Sequence, residues 1–200
     1  MPSQRNHQRR RSSRKVLILG VMTGTSCDAL DAACLNFDLN DRLLLRAPPL
    51  WTASQPYPEK LRARVLKIQQ PGSKVALLEL LHLNRDLSFW IGQTLSRILE
   101  RMPPRLRPHL IANHGQTLAH HPGHTGGGVT IQLGDPARIA VLTRLSVLSH
   151  FREGDLAANG QGAPLVPKFH AALADWLDLD RSTGIAIHNI GGISNLTYLG

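Results

Sequence analysis

The sequence predicts an α/β protein, and three features point to it. Short apolar runs of strand length alternate with longer stretches in which apolar residues recur at helical spacing. A strand, a turn of small polar residues and a second strand open the chain in "ILGVMTGTSCDALDAACL" and recur at its end in "AIHNIGGISNLTYLG". Finally, 200 residues, 42% of them apolar, suit one sizeable domain, or one domain and the beginning of a second. The two hairpins suggest two related lobes, and no period of about 20 to 50 residues repeats as in a solenoid.

The elements follow in chain order. "RKVLILGVM" is a nearly continuous apolar run, as expected of a strand buried on both faces. "DAACLNFDL" alternates in part, "NDR" at Asn40 to Arg42 is a turn, and "LLLRAPPLWTAS" follows, so three consecutive antiparallel strands are the simplest arrangement. "PEKLRARVLKIQQ" starts with Pro at a first helical position, puts Leu61, Val65 and Ile68 on one face and stops at Pro71-Gly72. From Ser73 to Arg101, the spacing of Leu77, Leu80, Leu87, Ile91, Leu95 and Ile98 predicts the longest helix, capped by Ser73 and interrupted at Asn84. "HLIANHG" reads as a strand opening onto a loop, "HHPGHTGGG" as a connection and "VTIQLG" as a further strand. "DPARIAVLTRL" carries Asp135 at a helix cap and Pro136 at the first helical position. "SVLSHF" is again a strand, "REGDLAANGQGAPLVP" an irregular, turn-rich segment, and "KFHAALADWL" a helix before the closing hairpin.

The formal charge of +9 is concentrated at one end. Six of the 23 Lys and Arg lie in the first fifteen residues, which carry no acid; without them 17 basic groups face 14 acidic ones, a charge of +3. Such an arm reads as a solvated, disordered tail over residues 1–14, whose contacts with a polyanion are non-specific and salt-sensitive. Nothing in the body interleaves basic and aromatic residues as a base-stacking platform does, so no specific nucleic-acid partner is expected. The seven-residue run "VLILGVM" is short for a signal core, and "TGTSCD" ends it without an Ala-x-Ala site. No run reaches the ~18 apolar residues that cross a bilayer. Cys27 and Cys34 alone make no disulfide framework. The expectation is a cytoplasmic protein with reduced thiols and no membrane partner, compatible with a homodimer.

The loops carry the candidate chemistry. Gly24, Thr25 and Ser26 can offer backbone N–H and hydroxyl donors to phosphate, and Asp28 a carboxylate to Mg2+, directly or through water. An ordinary hairpin turn fits the same composition at least as well, and no Gly-Lys-Ser or Gly-Lys-Thr follows as in a Walker loop. His114, His120, His121 and His124 fall within eleven residues but in no zinc spacing and without a Cys, so they read as polar loop residues. "NHGQT" gathers Asn113, His114, Gln116 and Thr117, a dense set of donors and acceptors suited to a sugar or nucleotide, or to satisfying its own backbone. Around Asp155 and Gln161, scattered Gly and Ala let backbone approach a ligand or another strand. Asp155 is then either a turn carboxylate or a site residue.

Five segments in order, "GVMTGTSCDALDAA", "NHGQTLAHHP", "TIQLGDPARIA", "SHFREGDLAANGQGAPLVPKFH" and "NIGGISNLT", together resemble the anhydro-N-acetylmuramic acid kinase family over nearly everything from Lys15 to Leu199. The resemblance implies the actin, Hsp70 and hexokinase type of ATPase fold. That is an RNase-H-like lobe of mixed sheet and flanking helices over residues 15–181, then the first hairpin of a truncated second lobe over 182–200. It implies ATP and Mg2+ as cofactors and a small amino sugar as partner. The implied reaction is phosphorylation of 1,6-anhydro-N-acetylmuramic acid with hydrolytic opening of the anhydro ring, giving N-acetylmuramic acid 6-phosphate in peptidoglycan recycling.

By the same resemblance the family's ATP loop matches Gly24, Thr25, Ser26, Cys27, Asp28, Ala29, Leu30 and Asp31, with Asp28 toward Mg2+, and the substrate side matches His114, Gln116, Thr117, Arg152 and Asp155. The family commonly has Ser where Thr23 stands, Leu at Cys27 and Gly at Ala29. Where it usually reads Ser-Asp-Phe-Arg then Arg, this chain has Ser149, His150, Phe151, Arg152 and Glu153. The lost carboxylate and the reversed charge bear on how an acidic sugar is held. Members of the family are much longer, and their general-base Asp lies in a "GFDTGPGN"-like segment beyond the position of Gly200. No catalytic base is therefore expected within the chain, and the 200 residues alone are expected not to turn over. A non-catalytic truncated product is the alternative, with a nucleic-acid-binding protein led by the Arg-rich tail as a third reading.

Overall fold

The computed structural model describes residues 15–38, 49–123, 127–190 and 194–200. The readings made on the tail (1–14), the Asn40 to Arg42 turn, the start of the strand after it, His124 and the Gly191-Gly192 turn lie outside the described residues.

Strands β1 (Lys15–Thr23), β2 (Ala29–Asp38) and β3 (Trp51–Pro56) form the expected antiparallel meander, with Val21 opposite Ala32 and Ala32 opposite Ala53. Strand β4 (Leu110–His121) joins β1 in parallel, from Ile18 against Leu110 to Thr23 against Gln116, with a bulge between Val21 and Thr23. On its other side β4 pairs antiparallel with β5 (Val129–Leu133) toward its end and parallel with β6 (Ser146–Leu148) at its start. The result is a six-stranded mixed sheet in the order β3-β2-β1-β4-β5, with β6 also on β4. Helices α1 (Glu59–Gln69), α2 (Leu77–Arg101), α3 (Pro136–Thr143) and α4 (Phe151–Ala157) flank it, and β7 (Ile185–Asn189) pairs with β8 (Asn195–Leu199) in a separate two-stranded sheet, against which α5 (Pro167–Trp176) lies. An α/β lobe of mixed sheet and flanking helices is the class the sequence predicts.

The core follows from periodicity. Alternate residues Leu19 and Val21 on β1, and Leu30, Ala32 and Cys34 on β2, face one side of the sheet. Against that side α1 sets Leu61 and Val65, and α2 sets Leu83, Leu87, Ile91, Leu95 and Ile98 at i, i+4, i+8 spacing. Full burial of each large aliphatic side chain contributes roughly 1.5–3 kcal/mol. Tight packing of α3 on α2 is possible at Gly92, where a Cβ would overlap the Leu142 side chain.

Four local readings are corrected. Helix α2 begins at Leu77 behind Ala76, with no side-chain cap, rather than at Ser73. It runs unbroken through Asn84, because the Asn84 side chain turns away from the helix and its Oδ1 accepts the Gly134 N–H at 2.8 Å. Strand β4 continues through the "NHGQT" segment, since β1 and β5 both offer ladder partners there. After β6 ends at Leu148, His150 adopts a left-handed conformation (φ 61°) that turns the chain into α4, so residues 151–157 are helical rather than irregular. A fifth difference concerns β1, whose apolar run is buried on one face only. Gly20 is partly covered and Met22 is exposed on the other, where the sheet borders an open cleft.

Candidate functional site

The β1–β2 turn is built around Cys27. Its N–H donates to Gly24 O at 3.1 Å, its φ is 54°, and its side chain is fully buried, so Cys27 acts as a pivot that returns the chain into β2. Burial pushes its thiol up to about 11, with the Arg62 charge pulling the other way, so the thiol stays protonated and unreactive at neutral pH. Leu30 is also fully buried in the core, whereas Thr25, Ser26, Asp28 and Asp31 are exposed. Of the eight loop positions, Cys27 and Leu30 thus present only backbone, and the polar side chains point to solvent.

Behind the loop lies a polar layer. Gln116 on β4 has no exposed surface; its Nε2 donates to Gly24 O at 3.1 Å and its Oε1 accepts the Tyr57 hydroxyl at 2.8 Å. The Tyr57 N–H donates to Asp28 O at 3.0 Å, and burial raises the pKa of its phenol well above the usual range, keeping it a neutral donor. Gln69 Nε2 donates to Thr117 O at 2.7 Å. Arg62 on α1 reaches the loop from the same side, with Nε 3.1 Å from Cys27 O and Nη2 3.3 Å from Ser26 O and 3.4 Å from Asp28 Oδ1. The "NHGQT" strand and the first loop are therefore stitched together through the Gln116 side chain.

A second cluster joins β4 to α4. Arg152 donates from Nε to His114 Nε2 at 3.0 Å and from Nη1 to Gly162 O at 2.6 Å. With Nε2 accepting, the His114 proton is assigned to Nδ1, which donates to Gly115 O at 2.8 Å. Burial depresses the His114 pKa and the Arg152 charge adds to that, while the Gly115 carbonyl works against it. Asp155 accepts the Gly162 N–H at 2.7 Å, and its carboxylate fills the space a Cβ on Gly160 would need. His150 and Glu153 meet here, with His150 Nδ1 3.1 Å from Glu153 Oε1. Gln132, with its amide oriented to satisfy its neighbours, donates to both Glu153 oxygens at 3.0 and 3.1 Å.

Between the two clusters, on the open face of the sheet, lies a cleft of about 720 Å3 whose walls include Gly20, Asp31, Ala33, Ser54, His114 and Phe151. It brings together the first loop's strand, the "NHGQT" strand and the start of α4; Gln116 is instead enclosed in the core. Among the described residues no three His, Cys, Asp or Glu gather as a metal-binding group. Sequence reasoning did not single out Tyr57, Arg62 or Gln69, because nothing around them in the chain distinguishes them from ordinary turn and helix residues.

A family model described as anhydro-N-acetylmuramic acid kinase matches residues 16–200. The chain belongs to the anhydro-N-acetylmuramic acid kinase family. Relatives of that name include one from Variovorax paradoxus, 36% identical over 184 residues, covering 92% of this chain and 47% of the relative. Another, from Pseudomonas syringae pv. syringae, is 40% identical over 187 residues (90% and 46%), and one from Neisseria meningitidis serogroup C is 40% identical over 186 residues (92% and 47%). The chain spans about half the length of the curated relatives it matches. Within this chain the loop at Gly24 to Asp31 and the "NHGQT" strand are tied by the Gln116–Gly24 bond.

Proposed function

We propose that the chain is the nucleotide-binding N-terminal part of a kinase that uses Mg2+ and ATP to phosphorylate 1,6-anhydro-N-acetylmuramic acid, with water opening the anhydro ring to give N-acetylmuramic acid 6-phosphate in peptidoglycan recycling. The observation that carries this reading is the arrangement of the first loop. The carbonyls of Gly24, Thr25, Ser26, Cys27 and Asp28 all accept bonds from within the protein. No carbonyl among the described residues accepts the N–H of Thr25 or Ser26. A turn that hides its acceptors and leaves donors free is an anion-binding nest.

The residues present fit both cofactors. The Thr25 and Ser26 amides and hydroxyls would hold phosphate oxygens, and Asp28, with 70% of its side chain exposed, would hold Mg2+ directly or through water. ATP, when bound, supplies the phosphoryl group. His114 has both ring nitrogens engaged and so is not free to deprotonate water, and the general base is assigned to the other half of a full-length member. No described helix is long and apolar enough to cross a membrane, and a cytoplasmic site of action suits an enzyme that consumes ATP. The separate β7–β8 sheet supports a lobe boundary near residue 181.

The test is calorimetric titration of the 200-residue chain with Mg·ATP beside an assay of sugar phosphorylation. We expect weak Mg2+-dependent binding that Asp28→Asn reduces about tenfold, roughly the worth of one charge-assisted contact, and no phosphorylation by this chain alone. Turnover by it would refute the assignment of the base to the other half; binding indifferent to Asp28→Asn would refute the Mg2+ role.

A further inference from the structure

We infer, on that reading of the loop, that Arg62 is a positioning residue for phosphate binding: from the helix behind the turn, its guanidinium fixes the Ser26 and Cys27 carbonyls and the Asp28 carboxylate in one arrangement. Three constraints act on this turn. Gly24 O is held by Gln116 and by the Cys27 N–H, and Asp28 O by the Tyr57 N–H, so both ends are pinned by other elements. Among the described residues, the two carbonyls between them that face α1, those of Ser26 and Cys27, meet only the Arg62 guanidinium. Cys27 sits there at φ 54°, a left-handed conformation that disfavours any residue with a Cβ, so the local backbone needs an external tie to stay in place.

The chain supplies that tie through geometry. Leu61 and Val65 of α1 are buried in the core and anchor the helix, the Arg62 N–H donates to Pro58 O at 2.9 Å in its first turn, and neighbouring Tyr57 is bonded to Asp28. Arg62 therefore projects from a fixed root. Its planar fork offers Nε to one carbonyl and Nη2 to the next carbonyl and to Asp28 Oδ1. A lysine ammonium, being a single point of charge on a flexible stem, cannot span the same three acceptors. The guanidinium also balances the Asp28 charge beside a site meant for anions. Because the Arg62 side chain is 43% exposed and that of Asp28 70%, the contact adds little to overall stability; its effect falls on the shape of the loop.

The experiment compares the wild-type 200-residue chain with Arg62→Lys and Arg62→Met by three measurements. These are amide exchange of residues 24–28 without nucleotide, the thermal midpoint, and Mg·ATP affinity. We expect the Cys27 amide, bonded to Gly24 O, to exchange about tenfold faster in both variants. We expect affinity to fall about tenfold in both and the thermal midpoint to stay within about 2 °C. Unchanged loop exchange overturns the inference, even where affinity falls, since Arg62 would then touch the ligand directly. Exchange that quickens across the whole sheet with a large drop in midpoint overturns it too, making Arg62 a general structural residue. Full rescue by Arg62→Lys would show that a point charge suffices and that the fork is irrelevant. Should the wild-type chain fail to bind Mg·ATP, the nucleotide reading fails, and the role of Arg62 is decided by loop exchange alone.

Discussion

Gln116 shows how a residue read as a ligand contact acts inside the protein. Its amide has no exposed surface and joins the Gly24 carbonyl to the Tyr57 hydroxyl, so it transmits the position of β4 to the first loop. Gln116→Leu removes the acceptor of the buried Tyr57 hydroxyl, while Gly24 O keeps the Cys27 N–H, so urea denaturation should show a loss of roughly 1–3 kcal/mol, that of one buried polar group left unpaired. His114 gives a pH dependence. Its pKa is depressed in the folded chain, chiefly by burial, so below the ordinary histidine value near 6.5 the unfolded state takes up a proton that the folded state resists. The stability it supports is complete above about pH 6.5 and falls as pH drops below that value. Thermal midpoints measured from pH 7.5 to 5 should decline, and His114→Asn should flatten the decline; an equal slope in the variant would assign it elsewhere.

At the scale of elements, helical spacing made α1 and α2 legible, because each buries one apolar stripe in the core, while α3 was legible from Asp135 at its cap and Pro136 at its first position. The ends and breaks were not legible to the same degree. Asn84 looks like an interruption of α2 until its side chain is seen to accept from Gly134, fifty positions later. Ser73 looks like a cap, yet the helix starts behind Ala76, whose extended φ and ψ (−67°, 141°) suit a capping side chain that alanine lacks. Ala76→Asp should therefore stabilise the protein by about 1 kcal/mol in thermal unfolding, as caps commonly do. No gain would mean that the Leu77–Leu78 turn frays independently of its cap. The α4 segment misled for a related reason: Gly154, Asp155 and the following Gly-rich stretch suggest turns, while the Arg152 bonds to His114 and Gly162 and the Asp155 bond to Gly162 brace a short helix.

For the whole molecule, the mixed sheet and the β7–β8 hairpin differ in how they are supported. The large sheet has a helical layer packed on one face and a continuous core of fully buried side chains. The hairpin is two-stranded, with Leu196 65% and Tyr198 70% exposed, and an isolated pair of strands is marginal in water. Hydrogen exchange should therefore find the β7–β8 amides opening far more often than those of β1 and β4 at their shared register; equal protection would show that the hairpin belongs to the same cooperative unit.

The sequence by itself determined the α/β class, the faces of the two long helices, the order of strands along the chain and the composition of the β1–β2 turn, because each depends on neighbours within a few residues. It also carried the family, through five short motifs in order. Only the tertiary structure decided that β4 runs through the "NHGQT" motif, that Gln116 faces inward while Asp31 and His114 border one cleft, and that Arg62 stands behind the first loop. The side-chain bonds among them join residues from 34 to 92 positions apart, and no local pattern encodes which distant partner a polar side chain will meet.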